Sequence, residues 1–246
     1  MRFVRAIFGT LYRLWFYIWV GLVIIILLPI LTISISKKSW YPFFYKIARA
    51  WARLILYGMG LFPRVQFDQK LNDETNYILV ANHTSMTDIM LMLHVSSVPF
   101  VFVGKKELAA LPLFGYFYKR TCILVDRNNA RSKHGVYQAS RERLDMGLSV
   151  CIFPEGGIPD NQELLVDNFK DGAFRMAIEH QIPVVPMTFF DNKKRLPESF
   201  YMGGPGVLRV KVHKPLSTTG MTMADRLDLR DLSRRIILED LEKQVH

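Results

Sequence analysis

No carboxylate occurs before Asp68. Residues 1 to 67 hold nine basic side chains (Arg2, Arg5, Arg13, Lys37, Lys38, Lys46, Arg49, Arg53 and Arg64), whereas the rest of the chain sets 23 basic residues against 22 acidic ones. Of the net charge of +10, +9 therefore belongs to the N-terminal quarter. A body so nearly neutral argues against nucleic acid as a partner. An acid-free basic segment suits anionic lipid head groups, where each basic residue contributes on the order of 1 kcal/mol. Cysteine is as scarce. Cys122 and Cys151 are the only two, both in apolar runs, and no CxxC spacing occurs. That argues against a zinc module or a disulfide scaffold and for two reduced thiols in a cytosolic compartment. Missing too are GxxxxGK[ST], GxGxxG and GxSxG, which lowers the case for a P-loop NTPase, a dinucleotide enzyme or an α/β-hydrolase. Gly203-Gly204-Pro205-Gly206 reads as a turn.

What the N-terminus does have is hydrophobicity. Leu14 to Ser34 is free of charge. As a helix its 21 residues rise about 31 Å, enough to cross a hydrocarbon core. No small-x-small site precedes Trp40-Tyr41-Pro42-Phe43-Phe44, so a cleaved signal peptide is not expected. Trp15, Tyr17, Trp19, Trp40 and Tyr41 are placed as interfacial aromatics. From Pro42 to Leu61, Phe44, Ile47, Trp51 and Leu54 recur at helical spacing opposite Lys46, Arg49 and Arg53. This reads as a basic amphipathic helix in the head-group plane, or as a surface helix packed on the domain. Residues 1–66 are thus expected to form membrane-anchoring helices, by one span or by a two-helix dip into one leaflet, and 67–246 the globular domain.

From residue 75 onward, strand candidates (77–81, 98–103, 121–125, 149–153, 182–189, 206–213) alternate with helix candidates (86–95, 105–118, 131–146, 169–180, about 222–243). The alternation implies an α/β fold, a mixed central sheet flanked by helices. Directly after the first strand comes Asn82-His83-Thr84-Ser85-Met86-Thr87-Asp88. A neutral imidazole takes a proton near pH 7, and a carboxylate five residues on can hold its other nitrogen. His83 is the candidate general base and Asp88 its orienting partner. Without a serine elbow, the nucleophile would be a hydroxyl of the substrate. The plainer reading is that Thr84, Ser85 or Asp88 caps the next helix. A metal site of His83, Asp88 and His94 lacks further ligands at sensible spacing, so no metal is expected.

In such sheets chemistry gathers at the carboxyl ends of strands. Val125-Asp126-Arg127 offers a guanidinium that can fork onto a phosphate or carboxylate, or simply a surface arginine. Phe153-Pro154-Glu155-Gly156-Gly157 offers an acceptor carboxylate and glycines that permit close backbone approach, or an ordinary strand-ending turn. Ile182-Pro183-Val184-Val185-Pro186 reads as core or as an acyl-chain wall.

Taken in order, these blocks resemble the glycerolipid acyltransferase family, bacterial 1-acyl-sn-glycerol-3-phosphate acyltransferases (PlsC-like) in particular. Asn82 to Asp88 is similar to its NHxxxxD, the segment around Arg127 to its arginine block, Phe153 to Gly156 to its FPEG, and Ile182 to Pro186 to its proline-bounded block. Gly104-Lys105-Lys106-Glu107-Leu108 resembles its lysine-bearing segment, and Phe169-Lys170-Asp171-Gly172-Ala173 its FKxGA stretch. The resemblance implies a membrane-bound enzyme on the cytosolic face of the cytoplasmic membrane. Acyl-CoA or acyl-carrier protein would be its donor, membrane lipids its surroundings, and no cofactor would be needed. His83 and Asp88 would activate the sn-2 hydroxyl of lysophosphatidic acid, giving phosphatidic acid. Arg127, Lys105 and Lys170 would hold the phosphate, and Glu155, Gly156 and Gly157 would shape the glycerol pocket. The family continues FPEG with Thr and then Arg or Ser, whereas this chain has Gly157-Ile158-Pro159. Lyso-ornithine lipid and glycerol 3-phosphate therefore stay open as acceptors, and a non-catalytic lipid-binding protein is the rival class.

Overall fold

The computed structural model describes residues 2–110, 114–126, 130–159, 161 and 163–244. Two helices lead: α1 (Arg2–Ser34) and α2 (Tyr41–Gly58, with Pro42 in its first turn, where a missing N–H costs nothing). Then follow β1 (Leu61–Phe67), β2 (Ile78–Ala81), α3 (Thr87–Val95), β3 (Phe100–Lys105), α4 (Phe114–Thr121), β4 (Ile123–Val125), α5 (Ala130–Asp145) and β5 (Ser149–Ile152). The chain ends with α6 (Gly172–Glu179), β6 (Val184–Phe189), the single turn α7 (Asn192–Arg195), β7 (Gly206–Val212) and α8 (Arg226–Glu242).

The expected α/β fold is present as a seven-stranded sheet of order β1-β7-β6-β2-β5-β3-β4 flanked by helices. β2 runs parallel to both β5 and β6, and β3 parallel to β4 and β5. An antiparallel bridge between Val184 and Leu216 makes the pairing mixed. β2 and β6 are buried along their whole length, as the apolar runs Ile78-Leu79-Val80-Ala81 and Val184 to Phe189 require of parallel strands covered on both faces.

Two compact units emerge. The first comprises 1–66, 83–97 and 189–211. In it α2 packs on α1 and on α3, burying Tyr45, Ile47, Ala48, Ala52, Ile55 and Leu56. Of the apolar face expected for this helix, Ile47 is buried and Leu54 exposed, while Lys46 and Arg53 face outward. The aromatics of α1 also have inward work: Trp15 Nε1 donates to the Gly58 carbonyl at 3.0 Å and Trp19 Nε1 to that of Leu54 at 2.9 Å. α1 starts well before residue 14, and it is long and apolar enough to cross a membrane. The second unit comprises 67–82, 98–188 and 212–246 and contains β2 to β5.

Two expectations need correction. The segment 61–67 is a strand, and Pro63 suits its edge position because an edge strand leaves N–H groups unused. The helix expected over 105–118 begins instead as a short 3₁₀ turn at Lys106–Ala110, with α4 starting at Phe114.

Candidate active site

β2 ends at Ala81, and the chain turns through Asn82 to Met86 before α3 begins. In the first unit, His83 Nδ1 lies 2.8 Å from Asp88 Oδ2. The Asp88 side chain is wholly buried and that of His83 is 17 % exposed. The same carboxylate oxygen accepts the backbone N–H of Thr84 at 2.7 Å and of Ser85 at 2.9 Å. The turn is thereby folded around Asp88, and the two readings of the motif coincide: the aspartate braces the helix entrance and holds the imidazole. With a carboxylate accepting at Nδ1, that nitrogen carries the ring proton and Nε2 carries the lone pair.

Sequence reasoning did not identify Asn192. Its Nδ2 donates to Asp88 Oδ1, and both side chains are buried. Beside it, Ser85 Oγ donates to the Leu196 carbonyl at 2.7 Å. No local signal marks Asn192, because the partner it meets is 104 residues away.

His94 has a different setting. Arg49 of α2 donates to the carbonyls of Leu93 and His94, and Tyr57 meets the imidazole edge-on. Burial, followed by the charges of Arg53 and Arg49, holds its pKa below the usual histidine range. Among the described residues no group of three or more His, Cys, Asp and Glu side chains is arranged to hold a metal ion.

The second unit contains the FPEG turn. Gly156 has φ +86°, a conformation that disfavours a side chain, and a Cβ there would fall 2.4 Å from Lys170 Nζ. Lys170 N–H donates to the Pro154 carbonyl at 2.9 Å. Glu155 is buried, and its Oε2 accepts the Asp167 N–H at 2.8 Å, so this carboxylate ties the turn to the segment that leads into Lys170. Gly157 follows, half-buried. Lys105 ends β3, exposed, opposite Val125 of β4. Arg127 lies outside the described residues. Neither thiol is poised as a nucleophile: burial pushes Cys122 up to about 12 and raises Cys151 well above its ordinary value.

The fold is a layered α/β sheet with a histidine–aspartate pair just past the end of β2. The chain belongs to the acyltransferase family, whose profile matches residues 63–189. It is 31% identical over 191 residues to the human 1-acyl-sn-glycerol-3-phosphate acyltransferase beta, covering 74% of this chain and 66% of that protein. It is 30% identical over 200 residues to the 1-acyl-sn-glycerol-3-phosphate acyltransferase of Haemophilus influenzae, covering 78% and 81%. The chain thus spans just under two thirds of the human protein, and 64% of a Caenorhabditis elegans relative. The crystal structure of the 1-acyl-sn-glycerophosphate acyltransferase PlsC from Thermotoga maritima has the same fold, with TM-score 0.79, 21% identity and coverage of 99% of this chain and 98% of that one.

Proposed function

We propose that this protein is a membrane-bound O-acyltransferase that moves an acyl group from acyl-CoA or acyl-carrier protein to the sn-2 hydroxyl of lysophosphatidic acid, giving phosphatidic acid. The observation that carries the reading is the 2.8 Å bond between His83 Nδ1 and the buried Asp88. It leaves Nε2 as the basic nitrogen, the atom that a lipid hydroxyl would meet. The substrate is assigned by similarity to relatives that are 1-acyl-sn-glycerol-3-phosphate acyltransferases.

In this reading Nε2 takes the hydroxyl proton as the oxygen attacks the thioester carbonyl. The C–O bond forms, the tetrahedral oxyanion collapses, the C–S bond breaks, and the departing thiolate takes its proton from the imidazolium. No acyl-enzyme and no cofactor are required. Arg127, Lys105 and Lys170 are assigned to the phosphate, and Glu155, Gly156 and Gly157 to the glycerol. Residues 1–66 are assigned to anchoring, with the catalytic residues on the cytosolic face of the cytoplasmic membrane. There a soluble thioester reaches an acceptor that stays in the bilayer. Positioning both substrates can offset about 7–11 kcal/mol of the barrier.

The departure at Gly157-Ile158-Pro159 decides the experiment. Purified protein is offered lysophosphatidic acid, glycerol 3-phosphate and lyso-ornithine lipid, each with labelled acyl-CoA and acyl-carrier protein. Label in phosphatidic acid is expected. Label only in another product reassigns the acceptor. Transfer to none of them, with His83→Ala binding lipid like the parent, would establish a non-catalytic lipid-binding protein.

A further inference from the structure

Asp88 takes N–H groups on both oxygens, and they come from different parts of the chain. Its Oδ2 serves the local turn: His83 Nδ1, Thr84 N and Ser85 N. Its Oδ1 receives Asn192 Nδ2. Asp88 and Asn192 are each fully buried, so solvent does not replace that amide if it is removed.

The turn that presents Asn192 is held on several sides. Asp191 accepts the Arg209 backbone N–H at 2.8 Å, Nε at 2.9 Å and Nη2 at 2.8 Å. Arg195 donates to the carbonyls of Pro205 and Val207 at 3.0 and 3.3 Å. Ser85 Oγ closes on Leu196 O. Asn192 Oδ1 is buried and, among the described residues, has no hydrogen-bond partner. Burying an amide oxygen in that way is unfavourable, and among the described residues the side-chain amide bonds to Asp88 alone. Its orientation follows from that bond, because a flipped amide would set oxygen against oxygen.

We infer that Asn192 is a positioning residue for the His83–Asp88 pair: its amide fixes the rotation of the Asp88 carboxylate and thereby the direction in which His83 Nε2 points. A carboxylate held on one oxygen alone can swing about its Cβ–Cγ bond. A donor on the second oxygen removes that freedom and transmits the stiffness of the 191–196 segment to the imidazole. The kinetic part of this inference rests on the acyl-transfer reading; the geometric part does not.

The test uses the full chain in detergent or vesicles, with Asn192→Leu and, as a variant of nearly unchanged size, Asn192→Asp. Both should lower kcat by about 10- to 100-fold while the KM for thioester and for acceptor stays near the parent value, the scale expected for a misplaced catalytic group. In an Asp88→Asn background Asn192→Leu should cost little more, because the two act as one unit. A loss of equal size in both backgrounds, or a loss confined to KM, would overturn the inference. Imidazole NMR supplies a second readout, with His83→Ala assigning the signal. The His83 Hδ1 resonance should move in both Asn192 variants, and an unmoved resonance counts against the proposal. If the parent transfers no acyl group to any acceptor, the proposed activity falls while the NMR result still decides the role of Asn192.

Discussion

The Asp88 carboxylate sits 2.8 Å from His83 Nδ1 while its same oxygen closes the turn that carries His83. One buried group thus sets both the backbone path and the tautomer of the ring above it. Loss of Asp88 and loss of His83 should therefore look different.

His83→Gln should lower kcat by about 10²–10⁴-fold with little change in stability, because the half-buried ring does chemistry more than packing. Asp88→Asn should lower kcat and stability together. An amide offers one acceptor oxygen where two carboxylate oxygens are used, and a stranded buried donor costs about 1–3 kcal/mol. Steady-state rates paired with thermal denaturation separate the two. An Asp88→Asn variant as stable as its parent would contradict the bracing role.

Gly156→Ala tests the FPEG turn. Its left-handed conformation costs a side chain about 1–2 kcal/mol, and the added methyl would displace the Lys170 ammonium. If Lys170 holds the acceptor phosphate, the acceptor KM rises while the thioester KM stays put. A rise in both would place Lys170 in a structural role.

Arg127→Ala should raise the acceptor KM far more than the thioester KM. A charged hydrogen bond to phosphate contributes about 1.5–3 kcal/mol, which is roughly 10- to 100-fold in binding. Equal effects on both substrates would remove Arg127 from the phosphate.

Just below about pH 6.5, His94 should contribute to the pH response of stability. Its lowered pKa means that the unfolded chain takes the proton first as pH falls. The folded state keeps this increment above about pH 6.5 and loses it as pH drops from there through the lowered folded value. His94→Asn should flatten the slope of Tm against pH in that window. An unchanged slope would assign it to other groups.

Truncation should distinguish anchoring from folding. Without residues 1–34 the protein should leave vesicles and lose some stability, because Trp15 and Trp19 no longer bond to α2. Loss of 1–61 also removes Tyr45, whose hydroxyl meets Ser96 O, and Arg49, which caps α3, and should destabilise far more. Sedimentation with vesicles and thermal denaturation report the two effects. Continued vesicle binding by the shorter truncation would reveal another anchor.

Sequence alone determined what depends on neighbours along the chain. The alternation of apolar runs and helical spacing marks the α/β layers, because strand and helix periods are local properties. The His83–Asp88 contact spans five residues and was legible as a pair. Tertiary structure alone decided what depends on distant partners. β1 hid behind Pro63 and an adjoining helix pattern until the sheet edge accounted for it. Trp15 and Trp19 carry aromatic signals of a membrane interface, yet their N–H groups meet carbonyls 43 and 35 residues on. Asn192 has no motif around it and acquires its place only because folding brings it to Asp88 across 104 residues. A buried polar group must find a partner wherever the chain supplies one, and that choice is made in space, not along the sequence.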